Sequence, residues 1–270
     1  MKTLLIDADI AAYVAALKKP DEVKTDAQVA ASIDGLVKFC RDWTQCEDVR
    51  MCLSDPLVNF RKTLVTATYK CGIPDEHREH LDVDYKAGRG DKPELYTVAL
   101  RHIHDAYPVL QLPTLEADDV MGIMATAEPG KYIICSSDKD MRSVPGPIFN
   151  FHAKHYSKGV EEISLEEANY NFYRQVLTGD PVDSYHGIPG CGPAKANNLL
   201  GPVGQASEAV MWAAIARAYK AYFSLKLVAA EDSDKFAMDY ALTQARLARI
   251  LRCTDYDVAD DTLTLWTPPA

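Results

Sequence analysis

Long apolar runs are missing from this chain: no stretch of its 270 residues approaches the roughly 18 consecutive apolar positions of a membrane helix. A basic leader with a cleavage site is missing as well, since the sequence opens directly on the strand-like MKTLLID. Both absences point to a soluble cytoplasmic protein without a membrane partner. There is no CxxC pair. The seven cysteines (Cys40, Cys46, Cys52, Cys71, Cys135, Cys191, Cys253) are odd in number and mostly lie in apolar surroundings, which suits reduced core residues rather than disulfides. No HExxH helix occurs, and the close histidines (His77 and His80, His102 and His104, His152 and His155) meet no cysteine pair, so they read as structural or surface residues and zinc is disfavoured. Positive charge is also short: the net charge is −10, which at first sight argues against nucleic acid. Low-complexity segments are absent, and with 47% hydrophobic residues the chain can bury one large core or two modest ones.

What is present is carboxylate, and it is clustered. Nine acids fall in five bursts: Asp7 in LLIDADI, Asp55 in CLSD, Glu116, Asp118 and Asp119 in LEADD, Asp138 and Asp140 in CSSDKD, and Asp180 with Asp183 in TGDPVD. Four bursts follow short apolar runs (TLLI, MCL, VLQL, YIIC) that read as buried strands, so the acids fall where strands of an α/β sheet end, the usual place for a ligand in such folds. Two like charges at 4 Å cost about 1 kcal/mol in water and several-fold more in a drier site, which makes divalent cations the natural solution. Oxygen donors suit Mg²⁺ or Mn²⁺, and two such ions can hold a phosphodiester, activate a water and stabilise the leaving oxygen. With those nine acids set aside the remaining surface is nearly neutral. It has room for basic strips at Lys62, Lys70, Lys86, Arg89 and Lys92, at Lys139 and Arg142, and at Lys154 and Lys158.

Periodicity predicts a strand over 2–7 and a helix over 26–43, with a Thr25/Gln28 capping box and an apolar stripe of Val29, Ile33, Leu36, Val37 and Cys40. A strand follows at Val49 to Leu53, then an irregular stretch over about 56–92 holding two similar pieces, ATYKCG and VDYKAGR. A helix opens near Pro93. A strand covers Val109 to Leu112, LEADD leads into the helix VMGIMATA, and strands are expected at Tyr132 to Cys135 and around Ile148 to Phe151. Helices near 164–178, 206–226 and 234–251 then dominate. The shift places a boundary near 160, with an α/β domain over 1–160 and a helical domain over 161–270.

GIPGCGPAKANNLL supplies a second signal. Gly187, Gly190 and Gly192 permit a tight turn before a helix starting near Pro193, a helix-hairpin-helix pattern of about 180–200 that holds a DNA backbone through N–H groups, with Lys195 adding a phosphate contact.

LLIDADI, CLSD, YKAGR, LEADDVMG, SSDKD and TGDPVDSYHGIPGCGPAKA, in that order, resemble the 5′-nuclease superfamily of flap endonucleases and 5′ to 3′ exonucleases over residues 3 to 200. The closing ARLARILRCTDYDV and LTLWTP are similar to the end of the exonucleases of short-tailed phages, which implies residence in the host cytoplasm. The resemblance implies an α/β fold. It would comprise a PIN-like (resolvase-like) nuclease domain with a central mostly parallel sheet, then a helix-three-turn-helix domain. It further implies two Mg²⁺ (Mn²⁺ substituting), K⁺ at the hairpin, and hydrolysis from the 5′ end of duplex DNA or of RNA in RNA–DNA hybrids. Asp7, Asp55, Glu116 and Asp118 would surround one metal; Asp138, Asp140, Asp180 and Asp183 the other, with Asp119 between them. Lys86 and Arg89 would approach the scissile phosphate, and Tyr85 would stack on a terminal base. ATYKCG (Tyr69, Lys70) competes for the Tyr-Lys role but lacks the following Arg. The region from Lys86 to Leu115 is short for an arch that threads flaps, which favours plain exonuclease action over structure-specific flap cleavage. Two other readings stay open: a haloacid dehalogenase phosphatase, whose DxD is imitated by Asp7 and Asp9 with Asp9 as general acid, and an inactive DNA-end-binding protein.

Overall fold

A computed structural model describes residues 2–19, 23–69, 85–152, 154–224 and 230–269. Lys70, Cys71, His77 and His80 lie outside the described residues.

Two compact units emerge, each assembled from several stretches of chain. The first comprises Met1–Val58, Gly90–Leu165 and Ile250–Thr264. Its sheet has the order β3-β2-β1-β4-β5-β6, from β1 (Thr3–Asp7), β2 (Asp48–Cys52), β3 (Val109–Leu110), β4 (Tyr132–Cys135), β5 (Gly146–Phe149) and β6 (Val160–Ile163). All neighbours are parallel except the β5–β6 edge pair. The central strands are buried, as TLLI and YIIC predicted, because a parallel sheet covered on both faces needs continuous apolar runs. Leu4, Ile6, Val49, Met51, Ile133, Cys135 and Phe149 form one core with alanines of α1 (Ala8–Ala16) and the stripe Val29, Ile33, Val37 and Cys40 of α2 (Asp26–Thr44). The expected capping box is present: Thr25 accepts from Gln28 N, and Thr25 N donates to the Gln28 side chain. α4 (Tyr96–Ala106) and α5 (Ala117–Ala127) complete this unit, with a short antiparallel pair β7 (Tyr256–Asp257) and β8 (Thr262–Leu263).

The structure departs from the predicted elements at several places. α1 follows β1 without a loop, because Asp7 ends the strand and also caps the helix, accepting from Ile10 N at 3.0 Å. β3 is two residues rather than four, pairing only opposite Met51 and Cys52 at the sheet edge. β5 begins two residues early, and β6 was not anticipated.

The second unit comprises Asn59–Arg89, Glu166–Arg249 and Leu265–Ala270. α3 (Phe60–Tyr69) occupies part of the stretch expected to be irregular. Arg61, 3% exposed, explains its placement: Nε donates to Leu247 O at 3.1 Å and Nη2 to Arg249 O at 2.5 Å, closing the C-terminal end of α9 (Ala230–Ala248) with a cation. α6 (Leu165–Thr178), α7 (Pro193–Leu200), α8 (Glu208–Ser224) and α9 pack around Tyr173, Tyr219 and Tyr240, all fully buried. Trp266 seals one side against Phe172, Tyr173 and Trp212. Five cysteines are buried and free; Cys253 is exposed rather than a core residue. Among the described residues no helix is long and apolar enough to cross a membrane.

Candidate active site

The strand order reverses between β1 and β4, and at such a switch point the loops leaving adjacent strands diverge and open a crevice above their carboxyl ends. Asp7 ends β1 there and Ser136 follows β4. The Ser136 hydroxyl donates to Asp7 Oδ2 at 2.8 Å, and Asp7 is 2% exposed. Burial raises its pKa to about 7, the nearby charges of Asp9 and Asp138 add to the rise, and the Ile10 N–H and Ser136 hydroxyl oppose it. Among the described residues no cation contributes. The Cys52 thiol, at the end of β2, is pushed well up by burial and by Asp7, Asp118 and Asp9, so these acids crowd one end of the sheet.

The other acids of this unit are shaped by backbone. Asp55 accepts from Thr114 N at 2.7 Å, Leu57 N at 2.8 Å and Val58 N at 3.3 Å, which hold its pKa below the ordinary value. Glu116 and Asp119 cap α5 reciprocally. Asp119 is fully buried, with Oδ2 accepting from Glu116 N at 3.2 Å and Oδ1 from Leu251 N at 3.0 Å. Asp138 accepts from Asp140 N at 2.8 Å, and Lys139 lies 3.1 Å from Asp140. Asp9 accepts from Ser54 N and its hydroxyl and, through Oδ1, from Tyr96 OH at 3.1 Å. A carboxylate tied by three donors serves the frame of the site, and the phosphatase reading, in which Asp9 donates a proton, loses its acid. Among the described residues no three His, Cys, Asp or Glu side chains close on one another tightly enough to enclose an ion.

The YKAGR residues belong to the helical unit. Arg89 Nη2 contacts Asp183 Oδ1 at 2.5 Å, Lys86 Nζ lies 3.7 Å from Asp183 Oδ2, and Tyr85 OH donates to Asp183 Oδ2 at 3.2 Å. Lys86 adopts φ 63°, its N–H donating to Asp183 O at 2.9 Å, and its ammonium sits 5.2 Å from the Tyr85 ring centre. The ring itself is 4% exposed and packs in the helical core. Asp180 is buried in a turn, pairing with Tyr185 and accepting from Val182 N at 2.8 Å.

In the glycine hairpin, Gly179 (φ 65°) and Gly187 (φ 59°) pack backbone to backbone, a Cβ on Gly187 falling 2.4 Å from Gly179 N. The Gly187 N–H is taken by Gln244 Oε1 at 2.8 Å. Gly190 turns with φ 75°. Gly192 caps α7 with Pro193 in its first turn and no side-chain cap, leaving the helix start open to a ligand, with exposed Lys195 beside it.

Ser54, Ser136, Thr114 and Arg61 escaped the sequence reading, although Ser54 and Ser136 stand next to the acids in CLSD and CSSDKD, where a hydroxyl after a buried strand is a usable signal.

Residues 2–167 match the family described as "5'-3' exonuclease, N-terminal resolvase-like domain". The chain belongs to the 5′-3′ exonuclease family. Membership makes it a hydrolytic nuclease, on a resolvase-like fold with a mostly parallel central sheet. This family member is 28% identical to the exodeoxyribonuclease of Enterobacteria phage T3 over 258 residues, 84% of each chain. It is 30% identical to the flap endonuclease Xni of Shewanella sediminis over 157 residues, 53% of this chain and 61% of that one. Among solved structures it resembles T5 5′-exonuclease with zinc bound, at a TM-score of 0.51 and 14% identity, covering 90% of this chain and all of that one.

Proposed function

We propose that this nuclease releases nucleotides from the 5′ ends of duplex DNA in a reaction that depends on Mg²⁺ or Mn²⁺. The observation that carries the reading is Asp7 at the sheet's switch point: a buried carboxylate with acids for neighbours and no cation among the causes of its shift. The similarity to a phage exodeoxyribonuclease over 84% of both chains supports DNA as the substrate class. An all-carboxylate donor set on strand ends and a helix start fits hard divalent cations. Asp7, Asp55, Glu116, Asp118, Asp138 and Asp140 would hold them, whereas Asp119, with both oxygens on backbone N–H groups, would fasten α5 to the Leu251 segment. Bound metal would hold the phosphodiester, lower the pKa of the attacking water and take up charge on the leaving oxygen.

The chain's own residues set the stage for that chemistry. Three backbone donors keep Asp55 ionised, and Ser136 fixes the rotamer of Asp7. Lys86 and Arg89 would offset charge on the reacting phosphate. Asp183, which the resemblance assigned to a metal, has partners suited to holding those two cations, with Tyr85 clamping it from the core. Asp180 shapes the turn before the hairpin. No protein nucleophile is required, since water adds to phosphorus as the P–O bond to the leaving strand breaks.

Mg²⁺-dependent release of nucleotides from duplex DNA, abolished by EDTA and by Asp118→Asn, would support this reading; turnover surviving both would refute it. RNA–DNA hybrids as a second substrate and K⁺ at the hairpin belong to the same proposal, tested by hybrid hydrolysis and by duplex affinity in K⁺ against Na⁺.

A further inference from the structure

An open cleft of about 790 Å³ lies in the helical unit, beyond the open start of α7. One wall is a face of α6 (Glu167, Tyr170, Asn171, Arg174), the other the last turn of α7 (Asn197, Asn198). Arg174 is half-buried, yet among the described residues no hydrogen bond, ion pair or ring contact engages its guanidinium. Asn198 is likewise unengaged, and Asn197, which accepts from Tyr170 OH at 3.2 Å, keeps its amide N–H donors unused. A half-buried cation flanked by free amide donors suits an anion. The carbonyls at the end of α7 repel anions, so the donors there have to be side chains.

We propose that the phosphate-binding surface of this unit runs from the Gly192 turn along α7 into this cleft, where Arg174 and Asn198 take a backbone phosphate of the duplex. The inference rests on the DNA reading above. Lys195 and Asn198 stand three residues apart on one face of α7, so a strand held at the helix start is handed along that face. Gly192 to Asn198 covers roughly 9 Å of helix, which corresponds to about two to three nucleotide steps at 3.4 Å per strand. Glu167, two turns along α6 from Arg174, lies at the far end of the cleft and would bound the track. An open cleft with a guanidinium and amide side chains along its walls suits a solvated backbone better than a small apolar ligand.

The test is duplex binding in Ca²⁺ across a salt series. Arg174→Ala is expected to lower affinity roughly tenfold and to reduce the slope of log K against log salt by about 0.9, while Arg174→Lys keeps the slope. Melting curves check that the variants fold, and Arg174→Gln, which removes the charge but keeps much of the side chain's length, carries the comparison with Arg174→Lys if the Ala variant does not fold. An Arg174→Ala slope equal to wild type overturns the inference, as does a slope lost equally in Arg174→Lys. Capture of an acidic peptide by Arg174 with the duplex slope unchanged would overturn it in favour of a protein partner. Failure of the wild type to bind duplex at all would instead overturn the DNA reading itself.

Discussion

Replacing Asp7 with Asn should stabilise the metal-free protein at pH 8, the opposite of what removing a buried hydrogen-bonded group usually does. The Asp7 carboxyl titrates at about 7 in the folded chain against an ordinary 3.8. A folded pKa raised above its unfolded value means that the folded state binds the proton more tightly. The stability this contributes is present in full below about pH 4 and is lost as pH rises through 7. At 1.36 kcal/mol per unit the loss is about 4 kcal/mol, an upper figure because neighbouring acids titrate together and the site relaxes. Asn keeps an acceptor for Ile10 N or Ser136 Oγ but brings an amide whose donors need partners, returning about 1–3 kcal/mol. A net gain of about 1–3 kcal/mol remains, or about 2–8 °C in melting temperature for a chain of this size. Melts in EDTA at pH 4 and pH 8 read it directly: Asp7→Asn should melt above wild type at pH 8 and below it at pH 4, where the wild-type carboxyl holds its proton and only the cost of the amide remains. Equal or lower melting of the variant at pH 8 would refute the claim that an uncompensated charge sits at the switch point.

Other consequences follow from particular contacts. Saturating Mg²⁺ should raise the melting point of wild type, by about 2.7 kcal/mol at a hundredfold excess over Kd, and leave Asp7→Asn almost unmoved. Gly187→Ala should cost more than about 3 kcal/mol, because its Cβ meets the Gly179 backbone at 2.4 Å and its φ is 59°; an unchanged urea midpoint would contradict the packed turn. Arg61→Ala exposes the Leu247 and Arg249 carbonyls to a buried void and should cost about 2–4 kcal/mol, read as a lowered denaturant midpoint. Lys86→Ala and Arg89→Ala should each cut kcat about 10²–10³-fold with duplex affinity largely retained, whereas Asp9→Asn should keep measurable turnover.

The central strands β1 and β4 were legible because they are buried on both faces and so appear as the uninterrupted apolar runs TLLI and YIIC, each followed closely by an acid, whereas β6, half exposed at the sheet edge with Glu161 and Glu162 inside it, offered no such run. α2 was legible down to its capping box. α1 was hidden because Asp7 is both the last strand residue and the helix cap, leaving no turn residues to mark the change. α3 was hidden because its anchor, Arg61, bonds to carbonyls 186 and 188 residues away, which no local pattern encodes. The position of the acids at strand ends and helix starts could be read from the bursts, but the contacts each one makes could not. Whether an aspartate has its charge disfavoured by burial, as Asp7 does, or spends both oxygens on backbone, as Asp119 does, depends on the surroundings and the N–H groups that the fold brings to it. Tyr85 shows the same limit: the resemblance placed its ring against a terminal base, and the folded chain buries the ring and directs its hydroxyl to Asp183.

The central claim is metal-dependent hydrolysis from the 5′ end, and a blunt duplex labelled separately at its 5′ and 3′ ends tests it most directly, in Mg²⁺ against EDTA with Asp118→Asn as control. The account predicts early release of the 5′ label as short products, lost in EDTA and in the variant. Early release of the 3′ label, or release of the 5′ label that EDTA leaves untouched, would contradict it.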